Sequence, residues 1–173
     1  EVRQRGNTWL QGHSTGRPLS LWSKFRDALA SGFNWLCGYA AMYEPVGTVD
    51  HFIPISKERS LAYEWSNYRY ASSWINSRKQ GFIVLDPYEV QNDWFEIHLP
   101  SLQLIITDKI PPALRESAKN TLTVLGLRDD ERIIRQRRHW MIEYEQTGDI
   151  GILERNAPLL ARAVIKRQQE TNK

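Results

Sequence analysis

The stretch CGYAAMYEPVGTVDHFIPISKERSLAYEWSNYRYASSWINSRK, residues 37–79, decides how this chain is read. Its centre is Gly47-Thr48-Val49-Asp50-His51-Phe52-Ile53-Pro54. Val49, Phe52 and Ile53 favour a strand, and Gly47 and Pro54 bound it. Asp50 and His51 are adjacent, so a regular strand sends their side chains to opposite faces. They can serve one site only at a strand end or in a twisted hairpin, where the bounding glycine and proline place them. Asn67 follows sixteen residues after His51, and Asn76 nine residues after that. From about Arg69 the pattern turns helical and runs to Gln80, with Gly81 suited to the C-terminal cap.

These residue types match one reaction. Hydrolysis of a phosphodiester needs a base for water and a cation for the charge that develops on phosphate. A histidine near neutral pH supplies the first. A carboxylate and a carboxamide oxygen are hard ligands suited to Mg²⁺ or a similar ion. The spacing alone does not prove the reaction.

Over residues 37–79 the chain resembles the HNH endonuclease family. Asp50-His51 is similar to that family's Asp-His pair at the end of its first strand. Asn67, in Asn67-Tyr68-Arg69, is similar to its central Asn, and Asn76 falls where its third motif residue stands. Lys79 completes the common Asn-x-x-Lys ending. The resemblance implies an α+β fold built on a ββα-metal core. It implies His51 as general base, with Asp50 and Asn76 holding a divalent metal, Mg²⁺ or Mn²⁺. It implies that Asn67 holds the loop and orients His51. The wording is closest to HNH proteins of bacterial defence and phage-related systems, which makes DNA, double-stranded, the expected partner and a protein partner in a defence assembly a further one.

The chain also departs from that family. Many members brace the motif with a zinc ion on two Cys-x-x-Cys pairs. Here the first pair reads Cys37-Gly38-Tyr39-Ala40, and the second would fall at Ser72 and Ile75. One of four ligands remains, so no structural zinc is expected. An apolar brace is expected instead, with Trp35, Tyr39, Trp65, Trp74 and Ile75 available. Cys37 then reads as a small buried residue.

Outward from the motif, residues 1–20 are polar and read as an arm. Residues 21–36 space Leu21, Trp22, Phe25, Leu29 and Phe33 as a buried helical face. Residues 82–85 read as a strand, and residues 95–99 and 102–107 as a hairpin turning at Pro100-Ser101. Beyond Pro112 all is helical, over about 112–125, 129–147 and a last helix that has Pro158 near its start and runs to about 170. This divides the chain into an arm (1–20), a nuclease module (21–107) and a helical region (108–173). In the helix 129–147, Ile133, Trp140, Met141 and Tyr144 share one face. Arg132, Arg135 and Arg138 share the other, a candidate track for a nucleic-acid backbone together with Arg69, Arg78 and Lys79. Arg137 projects into the apolar stripe and must snorkel, pair or face a partner.

Composition adds limits. Hydrophobic residues are 41% and charged residues 25% of the 173, as in ordinary globular proteins. One cysteine excludes an intrachain disulfide. No apolar run is long enough to span a bilayer and no signal peptide opens the chain, so no membrane partner and a cytoplasmic location are expected. The net charge of +3 has its excess beyond residue 100, a mild bias towards a polyanion. The rival expectation is a nucleic-acid-binding or effector subunit of a larger complex, inactive alone.

Overall fold

Thr48–His51 (β1) and Tyr68–Ala71 (β2) pair antiparallel, with Thr48 opposite Ala71, Asp50 opposite Arg69 and His51 opposite Tyr68. This computed structural model describes residues 1–172. β2 lies where the sequence pattern read as helix. All four of its residues are buried, and it is the antiparallel pairing with β1, with Tyr68 and Tyr70 both joining the core, that makes the segment a strand. The helix begins only after Ser72, as Ser73–Lys79 (α3), and packs on β1. It ends at Gln80, whose φ of 44° takes the role expected of Gly81.

The chain is α+β, and its described residues form seven α-helices and two two-stranded antiparallel sheets. It divides into two compact units. The first comprises Glu1–Gly38 with Glu44–Ile83, and the second Tyr39–Tyr43 with the chain from Val84 onward. The division falls near residue 83.

In the first unit, β1 and β2 share a core with Trp22, Leu29, Ala30, Ala62 and Tyr63. The expected helix over 21–36 is two pieces: a 3₁₀ segment Leu21–Phe25, then Arg26–Gly32 (α2). It stops where Asn34 and Trp35 adopt positive φ. The polar start is not an irregular arm. Val2–Gly12 forms a helix (α1) docked on the 3₁₀ segment Arg59–Tyr63. Gly6 makes that docking possible, since a Cβ there would lie 2.3 Å from the Tyr63 ring. Arg59 adds a second tie: its guanidinium lies over the Trp9 ring and donates to the carbonyls of His13, Thr15 and Gly16. Gly47 plays a similar part before β1, where a Cβ would meet the Tyr70 ring at 2.4 Å. The Tyr70 hydroxyl accepts from Gly47 N and donates to Glu44 O, which pins the entry to the strand.

In the second unit, Phe95–His98 (β3) and Gln103–Ile106 (β4) form the expected hairpin, with His98 opposite Gln103. Arg115–Leu125 (α4) packs on β4 and Pro158–Thr171 (α7) on β3. Glu131–Thr147 (α5) and Ile150–Asn156 (α6) complete the unit. α7 is the expected last helix, opened by Pro158, and α6 is a further short helix before it that the sequence pattern did not separate. The strand expected over 82–85 does not form; Phe82 and Ile83 are exposed and Val84 is buried.

Arg137 resolves its conflict by none of the three expected routes. It is almost fully buried, and its guanidinium donates to the carbonyls of Leu102, Leu127 and Arg128. Leu127 and Arg128 lie just past the Gly126 cap of α4, and Arg128 O also accepts from Leu104 N. Burial pushes the Arg137 pKa down to about 10, so it stays charged at neutral pH.

Candidate functional site

His51 ends β1. A carbonyl oxygen can only accept, so the 2.9 Å bond between His51 Nε2 and Ala62 O puts the ring proton on Nε2. In the neutral ring Nδ1 then carries the basic lone pair. The imidazole meets Trp22 edge-on at 4.6 Å and Tyr68 edge-on at 5.2 Å between centroids. Tyr68 also donates its hydroxyl to Ala62 O, so one carbonyl anchors both rings. Burial holds the imidazole below its usual value of 6.5; the Ala62 bond and Asp50 pull back upward, and Lys79 pushes down. The balance keeps the ring neutral at pH 7, as a base requires.

Asn67 opens β2 from a buried position. Its Oδ1 accepts from Ile53 N at 2.7 Å, and its Nδ2 donates to Ile53 O at 3.0 Å and Leu61 O at 3.3 Å. Its own carbonyl accepts from Phe52 N at 2.8 Å. One side chain therefore closes both ends of the loop between His51 and Ala62, the two residues joined by the imidazole bond.

Asp50 lies on β1 and Asn76 on α3, which packs against that strand. Asp50 is buried, and Asn76 points its amide at the neighbouring strand carbonyl, Val49 O, at 3.5 Å. One helical turn on, Lys79 lies on the same face of α3. The strand alternation gives Asp50 and His51 different neighbours, and Lys79 joins what the alternation separates. Its ammonium donates to Asp50 Oδ1 at 3.1 Å and to His51 O at 2.7 Å. Burial lowers the Lys79 pKa and Asp50 raises it again.

The proposed phosphate contacts divide sharply. Arg78 is exposed at the end of α3. Lys79 is fully buried, on Asp50. Arg69 is also buried: it donates to Ser66 O and Tyr68 O and lies 5.0 Å over the Phe52 ring. Neither buried cation is in place to touch a phosphate. Arg132, Arg135 and Arg138 are exposed on α5, in the second unit, and Arg135 pairs with Glu131.

The two positions where the family's cysteine pairs would begin, Cys37 and Ser72, are in contact. Ser72 N donates to Cys37 Sγ at 3.4 Å, and the Ser72 hydroxyl lies 3.8 Å from the sulfur. Of the expected apolar brace, Tyr39 and Ile75 are buried, while Trp35 and Trp65 are 41% and 49% exposed. The core cluster of the first unit is filled by Trp22, Tyr63, Tyr68 and Tyr70.

Among the described residues no three His, Cys, Asp or Glu side chains cluster as a metal site, and no helix is long and apolar enough to cross a membrane. Comparison of the chain with protein-family models, with curated proteins and with solved structures gave no match. Three contributors escaped the sequence reading: Ala62, which acts through its backbone carbonyl, Trp22, and Lys79 as partner of Asp50. Only Lys79 left a signal, its helical spacing of three from Asn76.

Proposed function

We propose that this chain is a metal-dependent nuclease of the HNH type that hydrolyses phosphodiester bonds of DNA. The observation that carries the reading is the His51 imidazole. It stands at the end of a strand, is held through Nε2 by a backbone carbonyl, and is kept neutral by burial. Nδ1 accepts a proton from the attacking water, and Ala62 O stabilises the imidazolium that forms. Asn67 keeps the His51-to-Ala62 loop closed, so the ring holds its tautomer and direction. Trp22 and Tyr68 restrict ring rotation from two sides.

The donor set fits a hard divalent ion, Mg²⁺ or Mn²⁺: a carboxylate at Asp50 and a carboxamide at Asn76, on adjoining elements. Asp50 already holds a positive charge, the Lys79 ammonium, so the position suits a cation. When bound, the metal neutralises charge that develops on the phosphate. Arg78, exposed at the end of α3, supports the approach of a phosphate backbone. The basic face of α5 supports duplex binding.

Plasmid cleavage with and without Mg²⁺ or Mn²⁺ tests the reading. His51→Ala should cut the metal-dependent rate by at least ~10²-fold, the usual size of a general-base contribution. Equal rates in the two proteins would refute it. The closed Asp50–Lys79 pair favours a second reading, a nucleic-acid-binding or effector subunit of a defence complex that is inactive alone. Binding of DNA without cleavage under every metal condition would select that one.

A further inference from the structure

Asp50 and Lys79 are buried in contact in the first unit, and a third buried charge, Arg69, stands opposite Asp50 in the strand pairing. Asp50 and Lys79 are 3% and 0% exposed. A carboxylate withdrawn from water must be neutralised or paired, and so must an ammonium. Each supplies the other's partner at 3.1 Å, and the second Lys79 bond, to His51 O, completes a clamp on the last two residues of β1. A dication cannot join that carboxylate while the ammonium is there, because the two cations would repel at close range in a poorly screened interior.

Lys79 has a short path to solvent. It is the last residue of α3, and the residues on either side of it, Arg78 and Gln80, are exposed. Its four-carbon stem can carry the ammonium from interior to solvent without unfolding the helix. The C-terminal end of a helix also favours a cation in the outer position.

We propose that Lys79 is the resident counter-cation of the candidate metal site, which exchanges with the divalent ion and swings outward when the ion takes Asp50. This rests on the nuclease reading above. In the metal-free protein the ammonium occupies Asp50 Oδ1 and ties β1 to the end of α3. In the metal-loaded protein the same ammonium stands at the mouth of the site, where it can meet a phosphate. One residue thus accounts both for the buried pair and for the phosphate contact that the sequence pattern assigns to this position.

The test uses the wild-type chain. An amine-acetylating reagent is applied over a Mn²⁺ titration, and acetylation at Lys79 is read by peptide mass spectrometry against exposed Lys24 and Lys57. Calorimetry on the same samples reports Mn²⁺ binding. Lys79 should react at least tenfold more slowly than Lys57 without metal, and approach it as the Mn²⁺ heat saturates. Lys79→Met, which removes the competitor, should bind Mn²⁺ at least tenfold more tightly than wild type. If that variant fails to fold, the wild-type labelling decides alone. Mn²⁺ heat with unchanged Lys79 labelling overturns the exchange and leaves the nuclease reading standing. Absence of Mn²⁺ heat in both proteins overturns the exchange and the metal-dependent reading together.

Discussion

Replacing Asn67 by alanine removes three hydrogen bonds at once, to Ile53 N, Ile53 O and Leu61 O. The Ile53 amide loses its acceptor, and an unsatisfied buried donor costs about 1–3 kcal/mol. The two carbonyls keep a second lone pair each and lose less. A total near 3 kcal/mol follows. In a chain of this length that lowers the melting temperature by roughly 6–12 °C. Asn67→Asp separates the bonds. The introduced carboxylate still accepts from Ile53 N, but it turns lone pairs towards Ile53 O and Leu61 O. Its pKa in the folded protein is therefore raised above the unfolded value. The sign follows: this variant is least stable at pH 7 and recovers as pH falls towards about 4, the ordinary carboxyl range, while Asn67→Ala shows no such recovery. Thermal melts from pH 4 to 7 measure both, and amide exchange at Ile53 reports the loop directly. A melting temperature within about 1 °C of wild type for Asn67→Ala would refute the loop closure, as would parallel pH profiles for the two variants.

Three further outcomes follow from the structure. His51 has its pKa held below 6.5, so its neutral form stabilises the fold fully above that pH and loses ground as pH falls towards the folded pKa. Because the other histidines are exposed, wild type minus His51→Gln in melting temperature against pH should show this acid limb, and a flat difference would count against it. Arg137→Met removes the donor from Leu102 O and Leu127 O, while Arg128 O keeps Leu104 N, and should cost about 2–3 kcal/mol in urea unfolding; a loss under about 1 kcal/mol would mean that water replaces the guanidinium. Changing Arg132, Arg135 and Arg138 together to Gln should make the log–log salt slope of DNA affinity shallower by roughly 2–3, about 0.9 per phosphate. An unchanged slope would assign that face to solvent or to a protein.

What could be read in advance is what depends on short-range pattern. β1, the β3–β4 hairpin and the helices α4 and α5 follow from alternation, periodicity and caps. The misses share a physical cause: tertiary contact overrode local preference. β2 reads as helix until Tyr68 and Tyr70 are seen to bury on the same core. α1 carries few apolar residues, and docks through a glycine and an arginine on a tryptophan ring instead. The motif residues Asp50, His51, Asn67 and Asn76 were legible as types. Their partners were not, because Ala62 contributes only a backbone oxygen and a lysine in sequence does not disclose whether its ammonium is wet or buried.

The docking of α1 also reaches the base. Gly6 sits against Tyr63, Tyr63 adjoins Ala62, and Ala62 O holds Nε2 of His51. The aim of the imidazole is thus set by a lever that begins in the opening helix. A single methyl group at Gly6 is long enough to act as a wedge in it, so a substitution remote from every polar residue of the site can misdirect the ring without touching it.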